Sequence, residues 1–182
     1  MNLPNLISLA RLMAVPFAVY LILHQAYTAA FWLFVAAGVS DAIDGYLAKR
    51  LGQSSTLGAY LDPLADKALL VAVYVTLGHE GKIALWLVIL VVFRDVIIIG
   101  GVLLQHIARG SVKMKPLMIS KINTTVQIAL VAATLAELGL GLDGGLLVPF
   151  LFYLTAATTL ASGAAYVVNW GRQESEIVKG GP

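Results

Sequence analysis

Residues 12–40 read LMAVPFAVYLILHQAYTAAFWLFVAAGVS, and none of these side chains carries a formal charge. A transmembrane helix needs about 20 mostly apolar residues, so the stretch is too long for a single crossing. A more polar segment at 24–28 separates a first crossing, which begins before residue 12, from a second one. The stretch therefore predicts a membrane protein whose helices cross the bilayer more than once.

The same criterion, the length of uncharged apolar sequence, divides the rest of the chain into further membrane spans. Uncharged runs cover residues 83–93, 96–108, 122–136 and 144–171. We predict an all-α polytopic membrane protein with a bundle of six transmembrane helices. Because no internal repeat or low-complexity segment interrupts it, residues 1–182 are expected to form a single membrane domain. The predicted spans are 6–23, 28–49, 59–77, 83–105, 117–137 and 146–169.

The composition supports this class. Hydrophobic residues make up 59% of the chain and charged residues 12%, whereas soluble domains carry roughly 25% charged residues. The formal net charge is only +2, which excludes a nucleic-acid binder with a basic face. There are no cysteines, so a disulfide framework and a thiolate zinc site are also excluded.

The basic residues predict the orientation, because cytoplasmic loops carry an excess of Lys and Arg. Lys82 is the basic residue of the loops on the opposite side. Both termini are therefore expected in the cytoplasm, with the first span retained rather than cleaved as a signal peptide. We expect the bacterial cytoplasmic membrane, or the mitochondrial inner membrane for a eukaryotic chain. The basic residues assigned to the cytoplasmic side are Lys49, Arg50, Arg109, Lys113, Lys115, Arg172 and Lys179.

Four aspartates lie where apolar helices are expected: Asp41, Asp44, Asp62 and Asp66. An Asp at the centre of a membrane helix costs about 2.5–3.5 kcal/mol, so such residues indicate function by default. At 100° per residue, Asp41 and Asp44 share one face of the second span, and Asp62 and Asp66 lie one turn apart on the third. A short loop joins these antiparallel spans, so we expect both pairs at similar depth near the cytoplasmic side.

Facing carboxylates repel one another strongly at low dielectric, so protons, basic side chains or cations must neutralise them. An all-oxygen ligand set without His or Cys suits hard cations such as Mg²⁺, Mn²⁺ or Ca²⁺. Two divalent ions about 3.5–4 Å apart form an arrangement that assists phosphoryl transfer. Gly45, Ala48 and Gly58 lie on or beside the same faces and leave room for a planar base or a diphosphate.

A simpler interpretation is purely structural. Lys49, Arg50 or Lys67 could pair with the aspartates, and the small residues could allow close helix packing. Asp62 before Pro63 could also cap a helix. The pattern of four aspartates on two facing stripes, interleaved with glycines, favours the metal site.

The spacing of these residues resembles the signature of the CDP-alcohol phosphotransferase family, D-x-x-D-G-x-x-A-R-x8-G-x3-D-x3-D. The one departure is a lysine where the family has arginine, and lysine cannot reproduce a bidentate contact to phosphate. The matching positions are Asp41, Asp44, Gly45, Ala48, Lys49, Gly58, Asp62 and Asp66.

Further segments extend the resemblance over nearly the whole chain. Residues 2–5 (NLPN) with Arg11, and residues 61–67 (LDPLADK), are similar to phosphatidylglycerophosphate synthases and cardiolipin synthases. Residues 94–100 (RDVIIIG) and 115–127 (KPLMISKINTTVQ) resemble the eukaryotic-type, CMP-forming cardiolipin synthases.

The resemblance implies an enzyme that joins phosphatidylglycerol to CDP-diacylglycerol and releases cardiolipin and CMP. It also implies a six-helix bundle, a homodimer and a site open to the cytoplasmic half of the bilayer. Two divalent cations, Mg²⁺ or Mn²⁺, would be held by Asp41, Asp44, Asp62 and Asp66, with Asp66 also the general base. The nucleotide pocket would comprise Asp44, Gly45, Ala48, Lys49 and Gly58.

The remaining polar residues are candidates for acceptor binding. Arg94 and Asp95 lie inside the fourth span, where isolated charges are rare, and either form a structural pair or bind the acceptor phosphate. Lys115, Lys121 and Asn123 near the start of the fifth span are candidate headgroup ligands.

Two rival functions remain. A phosphatidylglycerophosphate synthase would use glycerol 3-phosphate with identical metal chemistry. A divalent-cation transporter could use the same aspartates as an ion path, although such sites lie near the bilayer midplane, often at broken helices. No nucleic-acid partner is expected.

Overall fold

Six α-helices follow one another along the described part of the chain. The computed structural model describes the backbone of residues 3–51, 56–109, 117–142 and 144–179, and the side chains of 9–41, 67–101, 117–142 and 144–169. No strand occurs in the described residues, which confirms the all-α prediction. The helices are α1 (Leu3–Leu23), α2 (Tyr27–Leu51), α3 (Thr56–His79), α4 (Leu85–Arg109), α5 (Met118–Leu140) and α6 (Leu147–Lys179).

Each predicted span falls on one helix, and all ends but one agree within four residues. The exception is the end of α6, which continues ten residues beyond the predicted end at residue 169. Its final turns contain Gln173, Glu174, Glu176 and Lys179. These are good helix formers, but they are polar, so a criterion based on apolar length stops short of them.

Two of the connections follow from the way the preceding helix ends. At the end of α1, Ala26 N–H donates to Leu21 O and Gln25 N–H to Ile22 O, with Gln25 at φ 58°. At the end of α3, Gly81 occupies the equivalent place at φ 68°. Both are Schellman motifs, which satisfy the last carbonyls of a helix and turn the chain sharply. The glycine fits this left-handed conformation without strain, whereas glutamine is an uncommon occupant.

The chain divides into two compact units. The first comprises Met1–Leu85 and Val131–Val148, and the second comprises Trp86–Leu130 and Pro149–Pro182. This division reflects packing among residues, and the single membrane domain expected for residues 1–182 stays a prediction.

In the first unit, α1 packs against both α2 and α3. Ile22 of α1 and Val73, Tyr74 and Leu77 of α3 are fully buried. Burying side chains of this size is worth about 1.5–3 kcal/mol each when water is the reference. These contacts therefore fix α1 as the element against which the aspartate-bearing helices are positioned.

Gly139 lets α5 approach the start of α2 closely within the same unit. A Cβ atom at Gly139 would lie 2.6 Å from Thr28 N and 2.6 Å from Tyr27 C. The hydroxyl of Thr28 donates a hydrogen bond to Gly139 O. A backbone contact this close requires the absence of a side chain.

In the second unit, Leu87 and Val91 of α4 and Leu130 of α5 are buried. The rings of Trp86 on α4 and Phe152 on α6 meet edge to face, with centroids 5.2 Å apart. The interior of this unit also contains polar groups: Arg94, Asn123, Gln127, Thr159 and Ser162 are buried there.

Large apolar side chains point outward on several helices. Met13, Phe17 and Tyr20 recur at helical spacing on the exposed side of α1, as do Ile89, Phe93 and Val96 on α4. Within the described residues, two helical segments are long and apolar enough to cross a membrane, Met118–Leu140 and Leu147–Asn169. The predicted six crossings and the cytoplasmic termini stay predictions.

Replacing Gly139 with alanine should destabilise the protein by about 1–3 kcal/mol, because the added methyl group collides with backbone that cannot rotate away. The matched control is Gly38→Ala in α2, where a Cβ would meet nothing within 4 Å. We expect thermal unfolding in detergent to show a lower Tm for Gly139→Ala and an equal or higher Tm for Gly38→Ala. Equal Tm values for Gly139→Ala and the parent protein would contradict the close contact.

Candidate active site

The four aspartates predicted as metal ligands lie on two successive helices. Asp41 and Asp44 are in the second half of α2, and Asp62 and Asp66 are in the first half of α3. Because both segments are helical, each pair is spaced to lie along one side of its own helix. The backbone therefore has the helical conformation that the spacing of the aspartates assumes.

Asp41 is the one member of this set whose side chain lies within the described residues. How the others are arranged around it stays a prediction. The predicted site residues whose side chains lie outside the described ones are Asp44, Gly45, Ala48, Lys49, Gly58, Asp62, Asp66 and Lys115.

Asp41 forms an ion pair with Arg11 of α1. The distance from Arg11 Nη1 to Asp41 Oδ1 is 2.9 Å. The Arg11 side chain is 4% exposed, whereas the Asp41 side chain is 48% exposed. The positive partner is thus enclosed in the first unit, and the carboxylate stays accessible from one side.

Arg11 is the functional candidate that the sequence analysis missed. Proximity in the sequence favours Lys49, Arg50 and Lys67 as partners for the aspartates. By sequence alone, Arg11 stands out only through the resemblance of the N-terminal segment. A charged residue immediately before the long uncharged stretch 12–40 was the available signal, since such a residue needs a partner inside the protein.

The Asp41 carboxylate has the chemistry of a divalent-cation ligand. One carboxylate oxygen is held by Arg11, the side chain is half exposed, and carboxylate oxygen is a preferred ligand of Mg²⁺ and Mn²⁺. Among the residues whose side chains are described, no group of three or more His, Asp or Glu residues is close enough to hold a metal ion. The other three predicted ligands are not among those residues.

Arg94 is the centre of a buried network in the second unit. Its Nη1 donates to Asp95 Oδ1 at 2.6 Å, and its Nη2 donates to Ser120 Oγ of α5 at 2.6 Å. Its Nε donates to Ser162 Oγ of α6 at 3.2 Å, and Nη2 also bonds that hydroxyl. The Arg94 side chain is 3% exposed. The sequence left two alternatives for Arg94 and Asp95, a structural pair or binding of the acceptor phosphate. The structure contains the structural pair.

A second polar group lies between α5 and α6 in the same unit. Asn123 Oδ1 accepts hydrogen bonds from Thr158 Oγ1 and Thr159 Oγ1, both at 2.9 Å. Asn123 is fully buried, and its Nδ2 has no hydrogen-bond partner among the described residues. Lys121, two residues before Asn123 on α5, is exposed. Of the predicted acceptor ligands with described side chains, Lys121 is therefore the accessible one.

Comparison with known proteins identifies the family. Residues 1–168 match the family model of CDP-alcohol phosphatidyltransferases. The chain is 34% identical to the CMP-forming cardiolipin synthases of Rattus norvegicus and Homo sapiens, each over 98% of this chain. It is 35% identical over 93% of its length to a chloroplastic CDP-diacylglycerol–glycerol-3-phosphate 3-phosphatidyltransferase of Oryza sativa. The chain spans 64% of the rat and human relatives and 57% of the rice relative. The chain belongs to the CDP-alcohol phosphatidyltransferase family.

Proposed function

We propose that this protein is a membrane-embedded cardiolipin synthase. It transfers the phosphatidyl group of CDP-diacylglycerol to the terminal glycerol hydroxyl of phosphatidylglycerol and releases CMP. The observation that carries the proposal is the family match over residues 1–168, which includes the four aspartates on α2 and α3. The rat and human relatives, which are named as CMP-forming cardiolipin synthases, support the choice of acceptor.

The burial pattern supports a location inside the bilayer. Large apolar side chains such as Phe17, Phe93 and Tyr153 are exposed, while Arg94 and Asn123 are buried. A helix bundle in lipid has this arrangement, because apolar side chains contact acyl chains and polar groups must pair internally. The proposal includes six crossings with both termini in the cytoplasm, in a bacterial cytoplasmic or mitochondrial inner membrane, and a homodimer.

In the proposed site, Asp41, Asp44, Asp62 and Asp66 would hold two divalent cations, Mg²⁺ or Mn²⁺. Once bound, they would supply positive charge that stabilises the diphosphate and the departing CMP. The half-exposed carboxylate of Asp41 is compatible with this role.

The protein's own groups bind the nucleotide and move the proton. Gly45, Ala48 and Gly58 would leave space for the cytidine, and Lys49 would supply a point charge to the nucleotide phosphates. Asp66 accepts the proton of the acceptor hydroxyl. The hydroxyl oxygen forms a bond to the phosphorus that carries the diacylglycerol, and the bond from this phosphorus to the CMP oxygen breaks, so CMP leaves with the electron pair.

Phosphatidylglycerophosphate synthesis is the second candidate function. The rice relative and a relative from Cereibacter sphaeroides, 35% identical over 78% of this chain, are both named as transferases to glycerol 3-phosphate. The two functions share the aspartates and differ in the acceptor. Family membership favours either of them over the divalent-cation transport that the carboxylates alone also allowed.

The acceptor is tested with the purified protein in detergent, with CDP-diacylglycerol and Mn²⁺ or Mg²⁺ present. We expect CMP release and cardiolipin formation with phosphatidylglycerol, and much slower release with glycerol 3-phosphate. CMP release with glycerol 3-phosphate alone would assign the second function. Metal flux into liposomes, without CMP release from CDP-diacylglycerol in the presence of either acceptor, would contradict both transferase functions.

Asp66→Asn should abolish turnover, because an amide neither accepts the acceptor's proton nor carries charge toward a cation. We expect activity to fall by at least about 100-fold, the usual contribution of a general base. The Tm in the absence of metal should stay near that of the parent protein. Near-normal CMP release by Asp66→Asn would exclude Asp66 as the base.

In this proposal, lysines near the start of α5 bind the acceptor, and buried polar residues on α4 and α5 position the helices. The accessible Lys121, with Lys115, attracts the acceptor's phosphate, worth about 1 kcal/mol per residue near an anionic lipid surface. Arg94 and Asn123 act indirectly, without contacting the acceptor. Arg94 joins α4 to Ser120 and Ser162, and Asn123 joins α5 to α6. They hold in place the helices that carry the acceptor site.

Arg94→Gln should lower stability by about 3–5 kcal/mol, because it leaves the buried Asp95 carboxylate without its guanidinium partner. Lys121→Gln is the matched control on an exposed side chain and should leave the Tm unchanged while raising the KM for phosphatidylglycerol. Thermal unfolding and steady-state kinetics measure the two effects. An unchanged Tm with a raised acceptor KM in Arg94→Gln would instead indicate that Arg94 binds the acceptor directly.

A further inference from the structure

Arg11 and Asp41 differ sharply in their surroundings. The guanidinium group is enclosed, with its side chain 4% exposed, whereas the carboxylate is 48% exposed. An ion pair between two exposed residues contributes little and exchanges readily with water. Here one partner is fixed by burial, so it can restrain the other.

The restraint acts on one oxygen of the carboxylate. Arg11 Nη1 contacts Asp41 Oδ1 at 2.9 Å, a normal distance for a charge-assisted hydrogen bond. Without it, a half-exposed aspartate on a helix would be free to change rotamer, because its carboxylate would be solvated in several orientations. With it, the carboxylate keeps one orientation and its second oxygen is left for another ligand.

The position of Arg11 makes it a stable support. It lies on α1, which packs against both α2 and α3, and α1 has buried residues such as Ala18 and Ile22 further along. The anchor therefore belongs to a different helix from the residue it restrains. Burying the charge of an arginine costs desolvation free energy. The burial of Arg11 beside a predicted metal ligand therefore calls for an explanation.

We infer that Arg11 is a positioning residue for divalent-cation binding: it holds Asp41 by one oxygen so that the other oxygen faces the cation. This inference rests on the proposed function, because it takes Asp41 as a metal ligand. Hydrogen bonds that orient metal-binding carboxylates commonly change metal affinity by roughly 10–100-fold when removed. The positive charge of Arg11 would also offset the repulsion that Asp41 adds to the predicted set of carboxylates.

The test measures Mn²⁺ binding to the full-length protein in detergent, without substrate, by titration of the free Mn²⁺ electron paramagnetic resonance signal. Arg11→Gln should raise the Kd for Mn²⁺ by roughly 10-fold or more. Arg11→Lys keeps the charge but loses the planar geometry, so its Kd should lie between the two. It also serves as the folded substitute if Arg11→Gln does not fold.

A double-variant cycle separates positioning from a general structural role. If Arg11 acts through Asp41, then adding Arg11→Gln to Asp41→Asn should cause no further loss of Mn²⁺ affinity. Arg94→Gln is the matched control, since it also removes a buried arginine from an ion pair. It should lower the Tm while leaving the Mn²⁺ Kd unchanged.

Several outcomes would overturn the inference. An unchanged or tighter Mn²⁺ Kd in Arg11→Gln would show that Arg11 does not support the cation, or that it competes with it. Equal losses in the Asp41→Asn background and in the parent protein would show that it does not act through Asp41. Absence of Mn²⁺ binding by the parent protein would remove the basis of the inference altogether.

The proposed function is judged separately by CMP release. If the parent protein forms cardiolipin and Arg11→Gln binds Mn²⁺ normally, the inference fails and the function stands. If Arg11→Gln weakens Mn²⁺ binding but the parent releases no CMP with either acceptor, the inference stands and the function fails.

Discussion

Charges on apolar helices must be matched by opposite charges inside the protein, and this constraint organises the structure. Two unit charges 4 Å apart interact by about 1 kcal/mol in water and by about 4 kcal/mol at an effective dielectric constant of 20. Asp41 is matched by Arg11 of a neighbouring helix, and Asp95 by Arg94 beside it. In both pairs the arginine is buried, because its guanidinium is weakly hydrated and can bond several acceptors at once.

The two pairs nevertheless differ in what they leave available. Arg94 donates from all three guanidinium nitrogens, and its carboxylate partner is buried with it. Such a network joins helices and has little capacity for an additional ligand. Asp41 keeps half of its side chain exposed. Burial of the anion therefore distinguishes a pair that serves packing from a pair that can serve a site.

The helices could be predicted from sequence because uncharged length is a local property. The aspartate pattern was also local, since spacings of three and four residues place side chains on one face of a helix. The end of α6 could not be predicted in this way, because Glu174 and Glu176 continue a helix without continuing an apolar run. Helix propensity, not hydropathy, would have found it.

Partners of charged residues were not predictable by the same rules. Adjacent residues on a helix do not face each other, so the bond between Arg94 and Asp95 depends on a long side chain that folds back. The serines on α5 and α6 that complete the network come from distant positions in the chain. The partner of Asp41 lies thirty positions earlier. These pairings depend on how the helices pack, which spacing alone does not encode.

The use of Arg94 in packing also bears on the acceptor. Glycerol 3-phosphate carries a phosphomonoester with a charge near −2, as other phosphomonoesters do, whereas the phosphodiester of phosphatidylglycerol carries a single charge. A site for the former needs more positive charge than a site for the latter. With the guanidinium of Arg94 bonded to Asp95, Ser120 and Ser162, its charge is already matched within the second unit. The exposed Lys121 carries one positive charge and suits a singly charged headgroup. Among the described acceptor candidates, the charge that stays available therefore matches the single negative charge of the phosphatidylglycerol headgroup in the proposed function.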